Sequence, residues 1–312
     1  MAFVAVIVGI IILIKGGELL FEGSIATSLK LKIPKFIIGM TVVSIATSAP
    51  ELIVSIQAAM MGHPDLALGN IVGSNIANIA FVLGIIIVIT PIKVNEIFYK
   101  IDWPVMMIIT LIFFFLFKND NSLSQNEGII LLVVLCIYLA FLFFFKRNEI
   151  EDDELQTYQN DMSFLRIFYL LAFGGFFLWL GSEVLIKGAV DVATQIGISE
   201  RVISVSVIAF GTSIPELSTS IVAILNKEKN ISIGNLIGSN IFDILGVMGI
   251  TAIIAPIQNI DQELIQSDLI WMLSIAFLIL PLIFVNKKLV FGRFEGIVLI
   301  AVYIAFISRM FL

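Results

Sequence analysis

Two segments of the chain, at 47–52 and 212–217, each place a proline and a glutamate in the middle of a long apolar run. Pro50 and Pro215 remove a backbone donor, so a helix should break or kink at each of these points. Glu51 and Glu216 would be costly at bilayer depth without a partner. Two carboxylates at the same depth would also repel each other, so the pattern favours a cation bound between them.

A simpler role for the two glutamates is helix capping. Ser48 and Glu51 have the spacing of a capping box, with Pro50 inside the first turn, and Ser213 and Glu216 repeat this spacing. Each glutamate would then only satisfy the start of a half-helix. A glutamine would serve that purpose without the charge, which favours ion binding over capping alone.

Two polar stripes accompany the breaks. In each stripe three polar residues are spaced i, i+4 and i+8, so they line one face of an otherwise apolar helix. The stripes are Asn70, Ser74 and Asn78 in the first, and Asn235, Ser239 and Asp243 in the second. Hydrogen bonding between helices is the alternative role, and for the neighbouring Asn75 and Asn240 it is as good an interpretation as ion binding. The carboxylate of Asp243 favours ion binding for the stripes.

The candidate ligands at membrane depth are all hard oxygen donors. They are three carboxylates, one amide where the repeat would place a fourth acid, and six hydroxyls: Glu51, Glu216 and Asp243; Asn78; and Thr47, Ser48, Ser74, Thr212, Ser213 and Ser239. The breaks also free backbone carbonyls near 44–47 and 209–212. Such a set suits calcium, sodium or magnesium rather than zinc or copper, and magnesium is the less favoured divalent ion because it dehydrates reluctantly.

The composition requires a membrane around these residues. The chain has 312 residues, of which 59% are hydrophobic and 13% charged, whereas a soluble domain is about 45–50% apolar and about 25% charged. Ten apolar windows can span a bilayer as helices, with the first interpreted as a transmembrane helix rather than a cleaved signal. Their limits are 3–22, 36–61, 66–90, 103–118, 126–145, 166–188, 201–225, 231–255, 265–285 and 290–311. The predicted fold is therefore an all-α polytopic membrane protein.

The ten windows form two related halves. Residues 1–145 make the first five-helix repeat, 146–165 a linker too short for a soluble regulatory domain, and 166–312 the second repeat. Both motifs recur at one offset of 165 residues, and seven of the eleven positions from 69 to 79 match. Because five is odd, the second repeat must be inverted, with the second and seventh helices broken, as in transporters that bind ions between their repeats.

The basic residues predict the orientation of the chain. Thirteen of the 18 Lys and Arg residues lie in loops that follow odd-numbered helices, four lie on the other side, and Lys15 lies within the first helix. Positively charged loops stay in the cytoplasm. We therefore expect a multi-pass cell-membrane protein with both termini outside and the central loop inside.

The paired segments resemble the two α-repeats of the sodium/calcium exchangers, within the cation/calcium antiporter superfamily, and of the prokaryotic type without a regulatory loop domain. The resemblance covers essentially the whole chain and is most specific at 209–216 and 234–243. Ala46 stands where the family usually has glycine and Ser44 where alanine is common, which implies modest changes in backbone geometry. Asn78 resembles the potassium-independent exchangers, and the second motif typical of proton/calcium members is absent.

This resemblance implies exchange of about three sodium ions for one calcium ion by alternating access. Glu51 and Glu216 would bind calcium with the carbonyls of Thr47 and Thr212. The two glutamates would also bind sodium, together with Ser44, Thr47, Ser48, Ser74, Ala209, Thr212, Ser213 and Ser239. Asn78 and Asp243 would complete the middle of the site, with Asn70 and Asn235 in secondary positions. The first and sixth helices would slide as a gating pair.

Charge counting fits this exchange, and it leaves alternatives open. Three carboxylates match three sodium ions, and one calcium ion leaves one negative charge that protonation of Asp243 would remove. The alternatives are calcium/proton or potassium-linked exchange on the same scaffold, a passive channel, and an intramembrane protease. A protease would need paired aspartates, a Ser–His pair or a metal motif at depth, but the one histidine, His63, falls in a loop. We expect a non-enzymatic monomer that needs no cofactor, contacts lipid and the transported ions, and binds no nucleic acid.

Overall fold

The computed structural model describes residues 2–94, 96–144, 162–195, 209–285 and 289–309. Residues 146–161 of the predicted linker, 201–208 at the start of the seventh predicted helix, and the loop residues Lys287 and Lys288 lie outside these ranges. The helices are α1 Ala2–Leu31, α2 Lys35–Thr47, α3 Ala49–Met60, α4 Pro64–Ile89, α5 Phe98–Asp120, α6 Gln125–Phe144, α7 Phe164–Gln195, α8 Ala209–Thr212, α9 Ile214–Leu225, α10 Lys229–Ile254, α11 Leu264–Val285 and α12 Arg293–Arg309. Two short strands, β1 Ile92–Lys93 and β2 Val290–Phe291, pair antiparallel.

The helices confirm an all-α polytopic membrane protein. Within the described residues, seven helices are long and apolar enough to cross a membrane, or eight if the bent pair α2 and α3 is counted as one span. The count of ten is not reached, because the seventh predicted helix begins outside the described residues and α12 has only 17 residues.

Two long helices extend beyond their predicted limits. The first continues to Leu31 and α7 runs from Phe164 to Gln195. The segment added to α1 beyond residue 22 contains buried polar residues whose hydroxyls are satisfied within the helix. Ser24 donates to the Leu20 carbonyl and Thr27 to the Gly23 carbonyl, each at 2.7 Å, so these residues do not end α1.

Both predicted breaks are present. The chain bends by 43° between α2 and α3, and Ser48 at the bend leaves the helical region with φ −81° and ψ 7°. Ser213 between α8 and α9 has nearly the same angles, φ −85° and ψ 0°. Pro50 and Pro215 lie in the first turn of the following helix, where a missing N–H costs nothing.

The backbone elements repeat at the offset of 165 residues. The bounds of α3 and α9, and those of α4 and α10, differ by this number at both ends. A π-helical turn interrupts α4 at Ala77–Val82 and α10 at Asp243–Val247. The turns before α4 and α10 both contain a residue with positive φ, Gly62 and Lys227.

Contacts between residues divide the chain into two compact units, each of which contains segments of both halves. Unit one comprises 1–50, 135–203 and 211–239. Within it α1 and α7 pack closely through glycines: a Cβ atom on Gly16 would lie 2.7 Å from the Leu178 backbone nitrogen, and one on Gly174 would lie 2.6 Å from that of Leu20. Small residues allow such close approach of membrane helices.

Unit two comprises 51–134, 204–210 and 240–312. Here α4 and α12 cross at Gly84 and Gly296, where a Cβ atom on Gly296 would lie 2.7 Å from the Gly84 carbonyl oxygen. Helices α5 and α11 are joined by a hydrogen bond of 2.8 Å from the Trp103 indole to the Ala276 carbonyl. In unit two, α4, which carries the first polar stripe, is therefore tightly packed against α12.

The repeat-related glycines Gly234 and Gly69 should respond differently to alanine. A Cβ atom on Gly234 would lie 2.4 Å from the Phe36 carbonyl oxygen, whereas one on Gly69 would meet only the Leu264 side chain at 3.6 Å. Overpacking typically costs about 1–3 kcal/mol, while alanine gains about 1 kcal/mol over glycine in a helix. We expect Gly234→Ala to lower the thermal unfolding midpoint of the detergent-solubilised protein and Gly69→Ala to leave it unchanged or raise it. Equal midpoints for the two variants would contradict the close packing at Gly234.

Candidate cation-binding site

The predicted site residues whose side chains are described are all buried. None of them is more than 3% exposed: Ser44, Thr47, Ser48, Glu51, Asn70, Ser74, Asn78, Thr212, Ser213, Glu216, Asn235, Ser239 and Asp243. Ala209 is the first residue of α8, and its side chain lies outside the description. Burial of three carboxylates requires that other groups replace the hydration they lose.

In unit one, Glu216 lies in the first turn of α9, beside a group of oxygen atoms. The Ser239 hydroxyl donates to Glu216 Oε1 at 3.4 Å and lies 3.3 Å from Thr47 Oγ1. Thr47 Oγ1 lies 3.2 Å from Asn235 Oδ1. Helices α2, α9 and α10 thus bring four predicted site residues together.

This cluster holds more acceptor oxygens than donor protons. The Thr47 and Ser239 hydroxyls have one proton each, whereas the Glu216 carboxylate and Asn235 Oδ1 only accept. Within the described residues Glu216 Oε2 has no hydrogen-bond partner. A cluster in which acceptor oxygens outnumber hydroxyl protons suits a hard cation.

Unit two contains the other two acids and the whole of the first stripe. Asn70 Nδ2 donates to the backbone carbonyl of Glu51 at 3.2 Å and lies 3.1 Å from Ser55 Oγ. Asn75 Nδ2 donates to Asp243 Oδ2 at 3.2 Å. These bonds tie α4 to the first turn of α3 and to the acid on α10.

Two residues of unit two gain importance from the structure. Asn75, for which the sequence left interhelical bonding and function equally open, contacts the carboxylate of Asp243. Ser55 was missed, although a signal was present: it lies four residues after Glu51, and Ser220 lies four residues after Glu216. The buried Asn78 stands apart, since neither of its amide atoms has a hydrogen-bond partner in the described part of the chain.

Some backbone carbonyls near the breaks accept hydrogen bonds. The Ser44 carbonyl accepts from the Ser48 backbone at 2.9 Å, and the Gly211 carbonyl accepts from the Ser182 hydroxyl of α7 at 3.0 Å. The Ser44 hydroxyl lies 2.8 Å from the Gly39 carbonyl oxygen and 3.0 Å from that of Asn235, so it links α2 to α10. Sodium binding by Ser44 stays a prediction.

Metal sites of the transition-metal type need clustered nitrogen, sulfur or carboxylate ligands. No group of three or more His, Cys, Asp or Glu residues comes together within the described ranges. The candidate site therefore consists of single carboxylates surrounded by hydroxyl, amide and carbonyl oxygens.

Apolar spans, broken helices and buried carboxylates among oxygen donors define a helical membrane protein that handles small cations. A family model described as "Sodium/calcium exchanger protein" matches residues 1–144 and 166–312. The chain belongs to this family, which confirms the resemblance inferred from its motifs and places it among the cation antiporters.

Individual relatives match over nearly the whole chain. The "Putative antiporter CaxA" of Alkalimonas amylolytica is 35% identical, over 99% of this chain and 98% of its own length. The "Sodium/calcium exchanger MaX1" of Methanosarcina acetivorans is 27% identical, over 99% and 98%. A solved structure of the sodium-calcium exchanger NCX_Mj, soaked with 2.5 mM Na+ and 0.1 mM Ca2+, is similar with a TM-score of 0.82 and 28% identity, and 98% of this chain covers 97% of that one.

Removing the charge of Glu216 should stabilise the protein when no ion is bound. A buried carboxylate with an unpartnered oxygen is costly, and glutamine has the same shape without the charge. At about pH 9, where a carboxyl group is ionised, Glu216→Gln should raise the unfolding midpoint by at least about 2 °C in buffer free of sodium and calcium. The matched control is Glu96→Gln, because the Glu96 side chain is 68% exposed. No rise, or the same rise in the control, would contradict the cost assigned to this carboxylate.

Proposed function

We propose that this chain exchanges sodium for calcium across the cell membrane by alternating access, with about three sodium ions for each calcium ion. The observation that carries the proposal is the position of Glu51 and Glu216: each is fully buried in the first turn after a helix break. Membership of the exchanger family and the names of the relatives agree with this proposal.

Calcium is the cation that Glu51 and Glu216 bind, with the backbone carbonyls of Thr47 and Thr212. Calcium takes about six to eight oxygen ligands and accepts flexible geometry. Two carboxylates can supply up to four of these oxygens, and the carbonyls next to the breaks add to them. The surplus of acceptors around Glu216 and Thr47 supports this assignment.

Sodium occupies positions on either side of the calcium position. The glutamates contribute together with hydroxyl and carbonyl oxygens of Ser44, Thr47, Ser48, Ser74, Ala209, Thr212, Ser213 and Ser239. Two observations support the hydroxyl ligands. The Ser239 hydroxyl donates to Glu216 Oε1 at 3.4 Å. The buried Ser48 hydroxyl has no hydrogen-bond partner in the described residues.

Asn78 and Asp243 complete the middle of the site. Asp243 accepts a hydrogen bond from Asn75, which orients its carboxylate. Three ionised acids balance three sodium ions. When one calcium ion replaces them, Asp243 takes up a proton and removes the surplus negative charge.

Helices α1 and α7 form the gating pair. Glycines of each helix pack against backbone and leucine atoms of the other, as at Gly16 and Gly174. Close packing of this kind holds the two helices together, so the pair would slide as a unit, which alternating access requires.

The proposed orientation in the membrane rests on the distribution of basic residues in the sequence. Both termini face outside and the central loop faces the cytoplasm, since basic residues concentrate in the loops after odd-numbered helices. Labelling of single introduced cysteines by a membrane-impermeant reagent measures this orientation. The monomer carries out transport without a cofactor and without enzymatic activity.

A sodium gradient should drive calcium accumulation in proteoliposomes. With sodium loaded inside and none outside, radioactive calcium should accumulate above equilibrium at fixed pH and without potassium. Glu51→Gln and Glu216→Gln should each abolish this uptake, because each removes a carboxylate that binds both ions, while Glu96→Gln should retain it.

Other results of the same assay identify the alternatives. Calcium accumulation driven by a proton gradient would indicate calcium/proton exchange. Accumulation that requires potassium would indicate potassium-linked exchange. Either result would contradict simple sodium/calcium exchange. Calcium equilibration without accumulation would indicate a channel and would overturn antiport.

Neutralising Asp243 should also abolish sodium-driven calcium uptake. Asp243→Asn leaves two carboxylates for three sodium ions, so the sodium-loaded state loses its charge balance. The measurement is the same flux assay, with size-exclusion chromatography to show that the variant is folded. Unchanged exchange would show that the charge of Asp243 is dispensable.

A further inference from the structure

Ser55, in α3 one turn after Glu51, belongs to a buried chain of hydrogen bonds that ends on the backbone of Glu51. Its hydroxyl donates to the Ala67 carbonyl at 3.3 Å and accepts from Asn70 Nδ2 at 3.1 Å. The same Asn70 nitrogen donates to the Glu51 carbonyl at 3.2 Å. All of these residues lie in unit two.

The geometry gives each group in this series of hydrogen bonds a defined role. An amide nitrogen has two protons, so Asn70 can serve Ser55 and Glu51 at once. The Ser55 hydroxyl has one proton, and the Ala67 carbonyl takes it. Ser55 therefore fixes the rotation of the Asn70 amide, and Asn70 in turn holds the first turn of α3, on which the Glu51 carboxylate stands.

The second repeat also has a serine and an asparagine at the equivalent positions, but the described residues there do not form the same series of hydrogen bonds. Ser220 and Asn235 occupy the equivalent positions in unit one, and both are fully buried. Within the described residues, neither Ser220 Oγ nor Asn235 Nδ2 has a hydrogen-bond partner. Asn235 instead presents its Oδ1 to the Thr47 hydroxyl at 3.2 Å.

We propose that Ser55 is a positioning residue for calcium binding: through Asn70 it holds the backbone of Glu51, whereas Ser220 has no such role for Glu216. The two carboxylates are then held in different ways. Glu51 is held through its backbone carbonyl, which accepts from Asn70. Glu216 is held through its carboxylate, which accepts from the Ser239 hydroxyl. This inference rests on the proposed binding of calcium by both glutamates.

The test compares Ser55→Ala with Ser220→Ala, which remove the same atom from equally buried, repeat-related positions. Loss of one neutral hydrogen bond changes an equilibrium about fivefold. Ser55→Ala should raise the apparent KM for calcium and the calcium Kd of the purified protein by about this factor, with the maximal rate little changed. Ser220→Ala should leave both constants at wild-type values. Equal effects of the two variants on the calcium Kd would overturn the proposal.

A double-mutant comparison tests the path through Asn70. If Ser55 acts through Asn70, adding Ser55→Ala to Asn70→Ala should change the calcium Kd no further. Independent, multiplying effects would contradict this path. Should Ser55→Ala not fold, Ser55→Cys takes its place, since a thiol is a weak hydrogen-bonding group, and it should likewise weaken binding relative to Ser220→Cys.

The outcome is separable from that of the proposed function. Absence of sodium-driven uptake by the wild-type protein would overturn sodium/calcium exchange. The comparison of Ser55→Ala and Ser220→Ala by equilibrium binding of calcium would still support or overturn the positioning role.

Discussion

The structure is governed by the cost of keeping carboxylates out of water. Lys35 and Glu228 show the ordinary solution, an ion pair of 2.7 Å between a buried lysine and a partly exposed acid. Among the described residues no lysine or arginine pairs with Glu216: the Ser239 hydroxyl donates to one carboxylate oxygen, and the other oxygen has no hydrogen-bond partner there. The breaks and the polar stripes place hydroxyl and amide groups beside such acids. Surroundings that are neutral in this way are what the proposed binding of a mobile cation requires.

Helix breaks place the acids where the backbone itself assists. A glutamate in the first turn after a break stands at the positive end of the helix dipole, where a negative charge is better tolerated than elsewhere in the helix. Proline in that turn keeps the break at a fixed residue, as the similar angles of Ser48 and Ser213 show. Backbone dipoles are permanent, so they hold an anion without providing a charge that would displace the cation.

Local features were therefore predictable from the sequence, and packing was not. Proline, apolar length and the i, i+4 spacing act within one segment, so the breaks at Ser48 and Ser213 and the stripes appear where the sequence predicted them. The contacts of Ser55 and Asn75 depend on how α3, α4 and α10 approach each other, and no spacing within one helix determines that distance. The extension of α1 to Leu31 was not predicted because the apolar window ends near residue 22, whereas the helix continues with Ser24 and Thr27 bonded to carbonyls of its own preceding turn.

Internal repetition explains why similar backbones carry different side-chain networks. Equal element bounds at an offset of 165 residues show that each repeat keeps its helix geometry, which packing constrains most strongly. Side chains at equivalent positions differ more freely. Asn78 in the first repeat corresponds to Asp243 in the second. Asn70 donates to the Glu51 carbonyl, whereas the equivalent Asn235 accepts from the Thr47 hydroxyl. Hydrogen bonds satisfy the amide of Asn70 in unit two, whereas acceptors outnumber protons around Glu216 in unit one. Under the proposed function, the oxygens around Glu216 would serve as ligands for the cation, and the bond from Asn70 would hold the first turn of α3, which carries the other carboxylate.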